Sequence, residues 1–248
     1  MTTERGTLPV METTHDPSVP RPPPGQDALP SEDGEPMETD RHYEQMHLLT
    51  TTLADAWSER DDFYVGGNMF VYFSELQTRG EHFRGPDVFV VLDTERKSRK
   101  SWVTWEEGGR LPDVVIELLS ESTAHVDRGD KMRIYSRVWR TGHYVLYDPL
   151  THELVGYALD TQRGAYVPLE VDARGDLPIA RLGLALGLRP GAIHEKPGPW
   201  LRWIGPDGAP LLSGSERAEV ERERAERERE RADAAERRLA ELEKRPLG

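Results

Sequence analysis

The chain has 248 residues, a formal net charge of −13 at pH 7 and no cysteine. Without cysteine there is no disulfide framework, no thiolate metal site and no cysteine nucleophile. The acidic balance argues against binding nucleic acid through bulk charge, so any such contact needs a local basic strip and a cation to offset carboxylates. The N-terminus lacks a basic start followed by an apolar run, and the longest apolar stretches, residues 88–92 and 114–119, are strand-sized. Neither a secretory signal nor a membrane span is expected, and a reducing cytoplasmic setting suits the composition.

Residues 1–38 hold eight of the nineteen prolines and eight acids against two arginines. Such a segment buries too little apolar surface to offset its ordering entropy, and a disordered, Pro-rich, acidic leader is expected. The ordered domain, over 39–213, should open at Thr39-Asp40, a helix cap. Met46, Leu49, Leu53 and Trp57 then recur at steps of three and four and predict an amphipathic helix. A strand over 63–73 is expected, bent at Gly66-Gly67, and a second over 84–92. Residues 93–110 read as a charged loop. A third strand covers 112–119, a helix 122–140 and a fourth strand 143–147. Hairpins are expected around Gly164 and around Pro206-Asp207-Gly208. The order of helix, three strands, helix and strand predicts an α/β sheet with helices packed on it.

Residues 215–245 form a charged helix with pairs such as Glu223 and Arg227 at i, i+4. Ala218, Ala225, Ala232 and Leu239 recur every seven residues, but Glu221 and Glu228 occupy the companion position in the first half. The favoured reading is a solvated helix. The other is a weak coiled coil, which would support a homodimer or hold a protein partner.

Three segments carry chemistry. Gly85-Pro86-Asp87 opens one strand, residues 112–120 form the next with Glu117 at the end of an apolar run, and Asp127 to Tyr135 lie on the following helix. A carboxylate at Glu117 is costly to bury without a partner. A divalent cation is one partner, with Asp87 supplying a second carboxylate and the Leu118 carbonyl a third oxygen. Arg84 or Lys131 is the structural alternative. Asp113 reads as a strand-opening residue, Tyr135 as packing, and Trp102 and Trp105 as cover over a sheet edge. His47, His125 and His143 do not form a spaced ligand set, which disfavours zinc.

These segments, with Glu121-Ser122-Thr123 and the run from His143 to Pro149, resemble the Uma-two family of restriction endonucleases, within the PD-(D/E)XK nuclease superfamily, over residues 40 to 212. The resemblance implies a restriction-endonuclease-like core, a mixed central sheet flanked by helices, and Mg2+- or Mn2+-dependent hydrolysis of phosphodiester bonds in DNA. Asp87 takes the place of the first motif acid and Glu117 that of the second. The motif's lysine, two residues further on, is replaced by Leu119, and Lys131 on the next helix stands in for it. Asp127, one turn before Lys131, would hold it in place. Ser120 and Ser122 would bond backbone at the strand-to-helix junction, and Glu44 lies on the first helix, where related nucleases sometimes place an extra, supporting acid; surface solvation is the favoured reading for it. A non-catalytic binding or assembly protein on the same fold is the competing reading, and a hydrolase of another phosphate-containing substrate the third.

Overall fold

The computed structural model describes residues 23–31, 39–74, 83–120 and 122–243. Most of the expected leader (1–22 and 32–38), Glu121 and the last five residues lie outside them. Helix α1 (Asp40–Ala56) starts as the sequence suggests: Thr39 Oγ1 accepts from the His42 N–H at 3.2 Å, satisfying one of the open donors of the first turn. Leu49 and Leu53 are fully buried, with Met46 and Trp57 packed alongside.

The expected strand over 63–73 divides. β1 (Phe63–Gly67) ends where Asn68 turns to a left-handed φ of 45°, and β2 (Val71–Tyr72) joins a different sheet. Gly66 is required within β1: an added Cβ would lie 2.6 Å from the ring of Phe89, its partner across the sheet. The expected strand over 84–92 also divides, at Gly85-Pro86, into β3 (Phe83–Arg84) and β4 (Val88–Leu92). Proline has no N–H to extend a ladder. The stretch read as a loop contains β5 (Trp102–Val103), parallel to β2.

β6 (Val114–Leu118) leads into a helical segment, α2. It is α-helical at Ala124–Val126 and Met132–Ile134 but π-wound at Asp127–Lys131 and Tyr135–Trp139. The chain returns as β7 (His143–Tyr147), parallel to β6. A parallel pair needs such a crossover. β8 (Leu154–Asp160) and β9 (Ala165–Pro168) form the hairpin expected around Gly164, whose φ is +61°. The main sheet is therefore six-stranded and mixed, in the order β1-β4-β6-β7-β8-β9.

The strands β10 (Leu177–Ile179) and β11 (Leu184–Arg189) form a second sheet, β10-β11-β14, with β14 (Trp200–Ile204). Between β11 and β14 lies the small hairpin of β12 (Ala192–Ile193) and β13 (Lys196–Pro197). The turn expected around Pro206-Asp207-Gly208 forms, with Gly205 N–H on Ala209 O and Leu211 N–H on Trp203 O, both at 2.8 Å, although residues after it make a bridge from Pro210 to Ile204 and not a full strand. Alternation assigns the faces of the main sheet. Val88, Val90, Val114, Ile116 and Val145 point to α1 and the second sheet, whereas Phe89, Val91, Val115, Tyr144 and Leu146 point to α2.

Residues 23–31, read from the sequence as disordered, are packed against β2 and β5. Leu29 is buried with Phe70, Tyr72 and Val103, the Tyr72 hydroxyl donates to Pro30 O (2.6 Å), and Trp105 Nε1 donates to Pro24 O (3.1 Å). One leucine and two aromatic donors supply the partners that composition alone did not reveal. At the other end, helix α3 (Gly214–Glu243) begins with a capping box: Ser213 Oγ accepts from Glu216 N (3.3 Å), and Glu216 Oε2 accepts from Ser213 N (2.7 Å). Ion pairs Arg202–Glu216 (2.7 Å) and Arg217–Asp55 (2.6 Å) tie its base to the domain. Ala218, Ala225 and Ala232 are exposed in the single chain. No helix among the described residues is long and apolar enough to cross a membrane.

Leu53 joins α1 to both sheets. Leu53→Ala is expected to lower unfolding free energy by about 2–5 kcal/mol, the usual cost of such a cavity, in a guanidinium titration followed by tryptophan fluorescence.

Candidate active site

In the antiparallel register of β4 and β6, Val88 faces Ile116, so one residue further Asp87 lies opposite Glu117. Directly opposed residues share a face, here the one covered by α2. Asp87 Oδ2 accepts from the Leu118 N–H at 2.7 Å, and the Asp87 N–H donates to Glu117 Oε2 at 3.3 Å. The two acids are thus tied by each other's strand. Glu117 replaces what alternation would make a core side chain, and it is fully buried.

Helix α2 supplies the partners. Ser120 Oγ accepts from Thr123 N (3.1 Å) and bonds Thr123 Oγ1 (2.8 Å) and Ser122 Oγ (3.2 Å), fixing the turn out of β6. Asp127, Lys131 and Tyr135, spaced by four, then face the strand. Lys131 Nζ lies 3.1 Å from Glu117 Oε2 and 2.8 Å from Asp127 Oδ1. The Asp127 contact is an ion pair without a well-directed hydrogen bond. The Tyr135 hydroxyl donates to Glu117 Oε1 at 2.8 Å. π-winding is uncommon and concentrates at functional sites.

Burial pushes the Glu117 carboxyl up to about 8, against the attraction of Lys131 and with help from the neighbouring acids Asp87 and Asp127. Burial raises Asp87 too, partly offset by Lys131. Asp87 keeps some exposed surface, but its carboxylate is turned inward onto Leu118. Burial alone would lower Lys131, yet Glu117, Asp127 and Asp87 outweigh it and hold its ammonium above the ordinary lysine range. Burial and then Glu117 drive the Tyr135 phenol far up, so Tyr135 stays a donor.

The structure thus brings together Asp87, Glu117, Asp127 and Lys131, with Ser120 at the junction. Of the two structural partners weighed for Glu117, Lys131 is the one it meets. Tyr135 packs as expected, on Trp139 and Tyr144, and its hydroxyl in addition donates to Glu117. Glu44 is corrected. It bonds His194 Nδ1 (2.8 Å) and Lys196 Nζ (3.2 Å) of the β12–β13 hairpin and takes no part in the cluster. His42 was missed. It is buried, with Nδ1 bonded to Thr39 Oγ1 (2.7 Å) and Nε2 to Leu119 O (3.1 Å), beside the end of β6. Its position three residues after the cap was the available signal. Asp113 accepts from Leu92 N (2.8 Å), as a strand-opening residue should, and Trp102 is buried packing.

Residues 33–193 match the model of the Uma2 family, described as "Putative restriction endonuclease". The chain belongs to the Uma2 family. A solved structure described as a "putative nuclease belonging to DUF820" from Anabaena variabilis is 16% identical, with a TM-score of 0.43, over 61% of this chain and 82% of that one. No curated protein gives a significant match. The Uma2 match encloses Asp87, Glu117, Asp127 and Lys131 together.

Two outcomes follow from the electrostatics. A carboxyl whose folded pKa lies above its unfolded value stabilises the fold below the unfolded value and loses that contribution as pH rises through the folded one. The melting temperature of the cation-free protein should therefore fall between about pH 5 and about pH 8, and Glu117→Gln should flatten that profile in differential scanning fluorimetry. Lys131→Met removes the one ammonium among three acids. It is expected to cost about 3–5 kcal/mol at pH 8 by chemical unfolding, as for other broken buried pairs.

Proposed function

We propose that the chain is a divalent-metal-dependent endonuclease that hydrolyses phosphodiester bonds in DNA. The observation that carries this reading is the buried cluster itself: three carboxylates, Asp87, Glu117 and Asp127, meet one ammonium, Lys131. With all three acids ionised the cluster would be short of positive charge by the equivalent of one divalent cation, and such an ion would favour that ionised state against the burial that raises Glu117 and Asp87. Its hard oxygen donors on adjacent strands fit Mg2+ or Mn2+. Among the described residues no three His, Asp or Glu side chains form a ready metal-binding group. Asp87 and Glu117 would hold the ion, with the Leu118 carbonyl as a further oxygen, and water and substrate would complete its shell, as is usual for Mg2+. When bound, such an ion polarises a phosphate oxygen and acidifies a water.

The chain's own groups do the rest. Lys131 is charged at neutral pH and presents N–H donors beside Glu117, where negative charge develops on a phosphate under attack. A group held so firmly protonated serves as an electrostatic stabiliser and not as a proton acceptor. Asp127 holds the ammonium from one turn away, and Tyr135 fixes the Glu117 carboxylate from behind. The buried surroundings strengthen each interaction by excluding water.

A second reading, a binding or assembly protein on the same fold, is favoured by one specific observation. Both Glu117 oxygens already have partners in Tyr135, Lys131 and the Asp87 N–H, so the cluster is satisfied without an ion. In that reading α3 would make the contact, to a second copy or another protein.

Calorimetric titration with Mg2+ and Mn2+, run with a plasmid-nicking assay on the same samples, separates the two. Binding and nicking should both be present in the wild type and vanish in Asp87→Ala and in Glu117→Ala. Lys131→Gln should keep metal binding and lose at least 100-fold in nicking rate, the scale on which oxyanion-type donors act. Absence of any site-dependent metal binding would favour the assembly reading.

A further inference from the structure

The inner face of α2 builds the site; its outer face is unaccounted for. Arg128, Arg133 and Arg137 on α2, with Arg140 just past its end, are all exposed, in a chain whose net charge is −13. The acids that oppose them are Asp130 on the same helix and Glu153 from the turn between β7 and β8. Arg128 pairs with Glu153 at 2.9 Å and Arg133 with Asp130 at 3.0 Å, all four side chains being well exposed. Exposed pairs of this kind are weak and exchange readily for other anions. Arg140 donates to Thr161 O at 3.1 Å.

Gly129 is the second observation. It lies inside α2, where glycine weakens a helix relative to alanine, and it is exposed. A Cβ built there meets nothing within 4 Å. Packing within the chain does not require the glycine. What its bare backbone permits is close approach of something from outside. The arginines are spread over thirteen residues, at most about 18 Å at the α-helical rise, a length over which one DNA strand offers several phosphates.

We propose that this outer face of α2 is a phosphate-contacting platform for the backbone of duplex DNA, on the helix that covers the cluster. The inference rests on the nuclease reading above. It also supplies the local basic strip that an acidic chain needs to engage nucleic acid at all.

The test is fluorescence anisotropy of a labelled 20-base-pair duplex with the full chain in EDTA, from 50 to 200 mM salt. It compares wild type, Arg133→Gln/Arg137→Gln, and Arg229→Gln on α3 as a control, with melting curves to show that all three fold. The double variant should bind at least tenfold more weakly at 50 mM salt, and its slope of log affinity against log salt should be shallower by about 2. The control should match wild type. Equal binding by the double variant overturns the platform, as does poly-glutamate competing as well as unlabelled duplex. Plasmid nicking in Mg2+ then separates the two readings. A double variant that nicks like wild type removes the platform and leaves the nuclease. A wild type that neither binds nor nicks removes both, and one that binds through the arginines without nicking keeps the platform alone.

Discussion

Glu117 is a carboxylate at a position where strand alternation calls for an apolar side chain, in the third strand of a six-stranded sheet, fully buried. Desolvating an ion there costs several kcal/mol even after local relaxation, so its surroundings must compensate. They do so from three directions. Asp87 comes from the neighbouring strand, its backbone N–H on one Glu117 oxygen. Lys131 comes from α2 to the same oxygen, and the Tyr135 hydroxyl takes the other. These contacts fix the register of β4 on β6 and the rotation of α2 over the sheet, since a helix turned by one residue would carry Lys131 and Tyr135 away together. Tyr144 of β7 closes the arrangement by donating to Asp127 O at 2.9 Å. The crossover from β6 through α2 to β7 is thus held by polar contacts as well as by its aromatic packing.

Much of this was legible in the residues. Apolar runs and their bounding prolines located β4, β6 and β7, the three-and-four spacing located α1, and the resemblance to the Uma-two family pointed to Asp87, Glu117 and Lys131 as one cluster. What was not legible has physical causes. Tyr135 lies in an apolar row, and nothing local distinguishes a phenol that packs from one that also donates. Glu44 was a candidate site acid because it lies on the first helix, but its partners His194 and Lys196 are 150 and 152 residues away. Only the fold could show that. The strands β2, β3 and β5 have two residues each, too few for any periodicity to register. Part of the second sheet was hidden similarly: β10 has three residues with a proline in the middle, and its partner β11 is interrupted by Gly187.

The charge of the molecule is partitioned in a way the total conceals. Many acids are paired with cations well away from the cluster: Asp176 with Arg189, Glu107 with Arg99, Glu216 with Arg202 and Glu44 with Lys196. Helix α3 mixes both signs along its length. The basic groups of α2 and of the residue after it are arranged differently, with one ammonium turned inward to the carboxylates and four guanidinium groups turned outward. A net charge of −13 therefore describes solubility and long-range repulsion, not the local field at the helix that builds the site.

Leu119 stands where the family resemblance expects a lysine, and the structure brings Lys131 to the neighbouring carboxylates instead. Residues 117 and 119 fall on the same face, and Leu119 is buried in the cluster with Val115, Tyr135 and Trp139. Its backbone is fixed on both sides, the N–H to Tyr147 O at 2.7 Å and the carbonyl to His42. Lys131 brings its ammonium to Glu117 from α2, 3.1 Å from Oε2, while Leu119 fills apolar space beneath the same helix. Under the proposed reading, the cation's position in space matters more than its place in a motif.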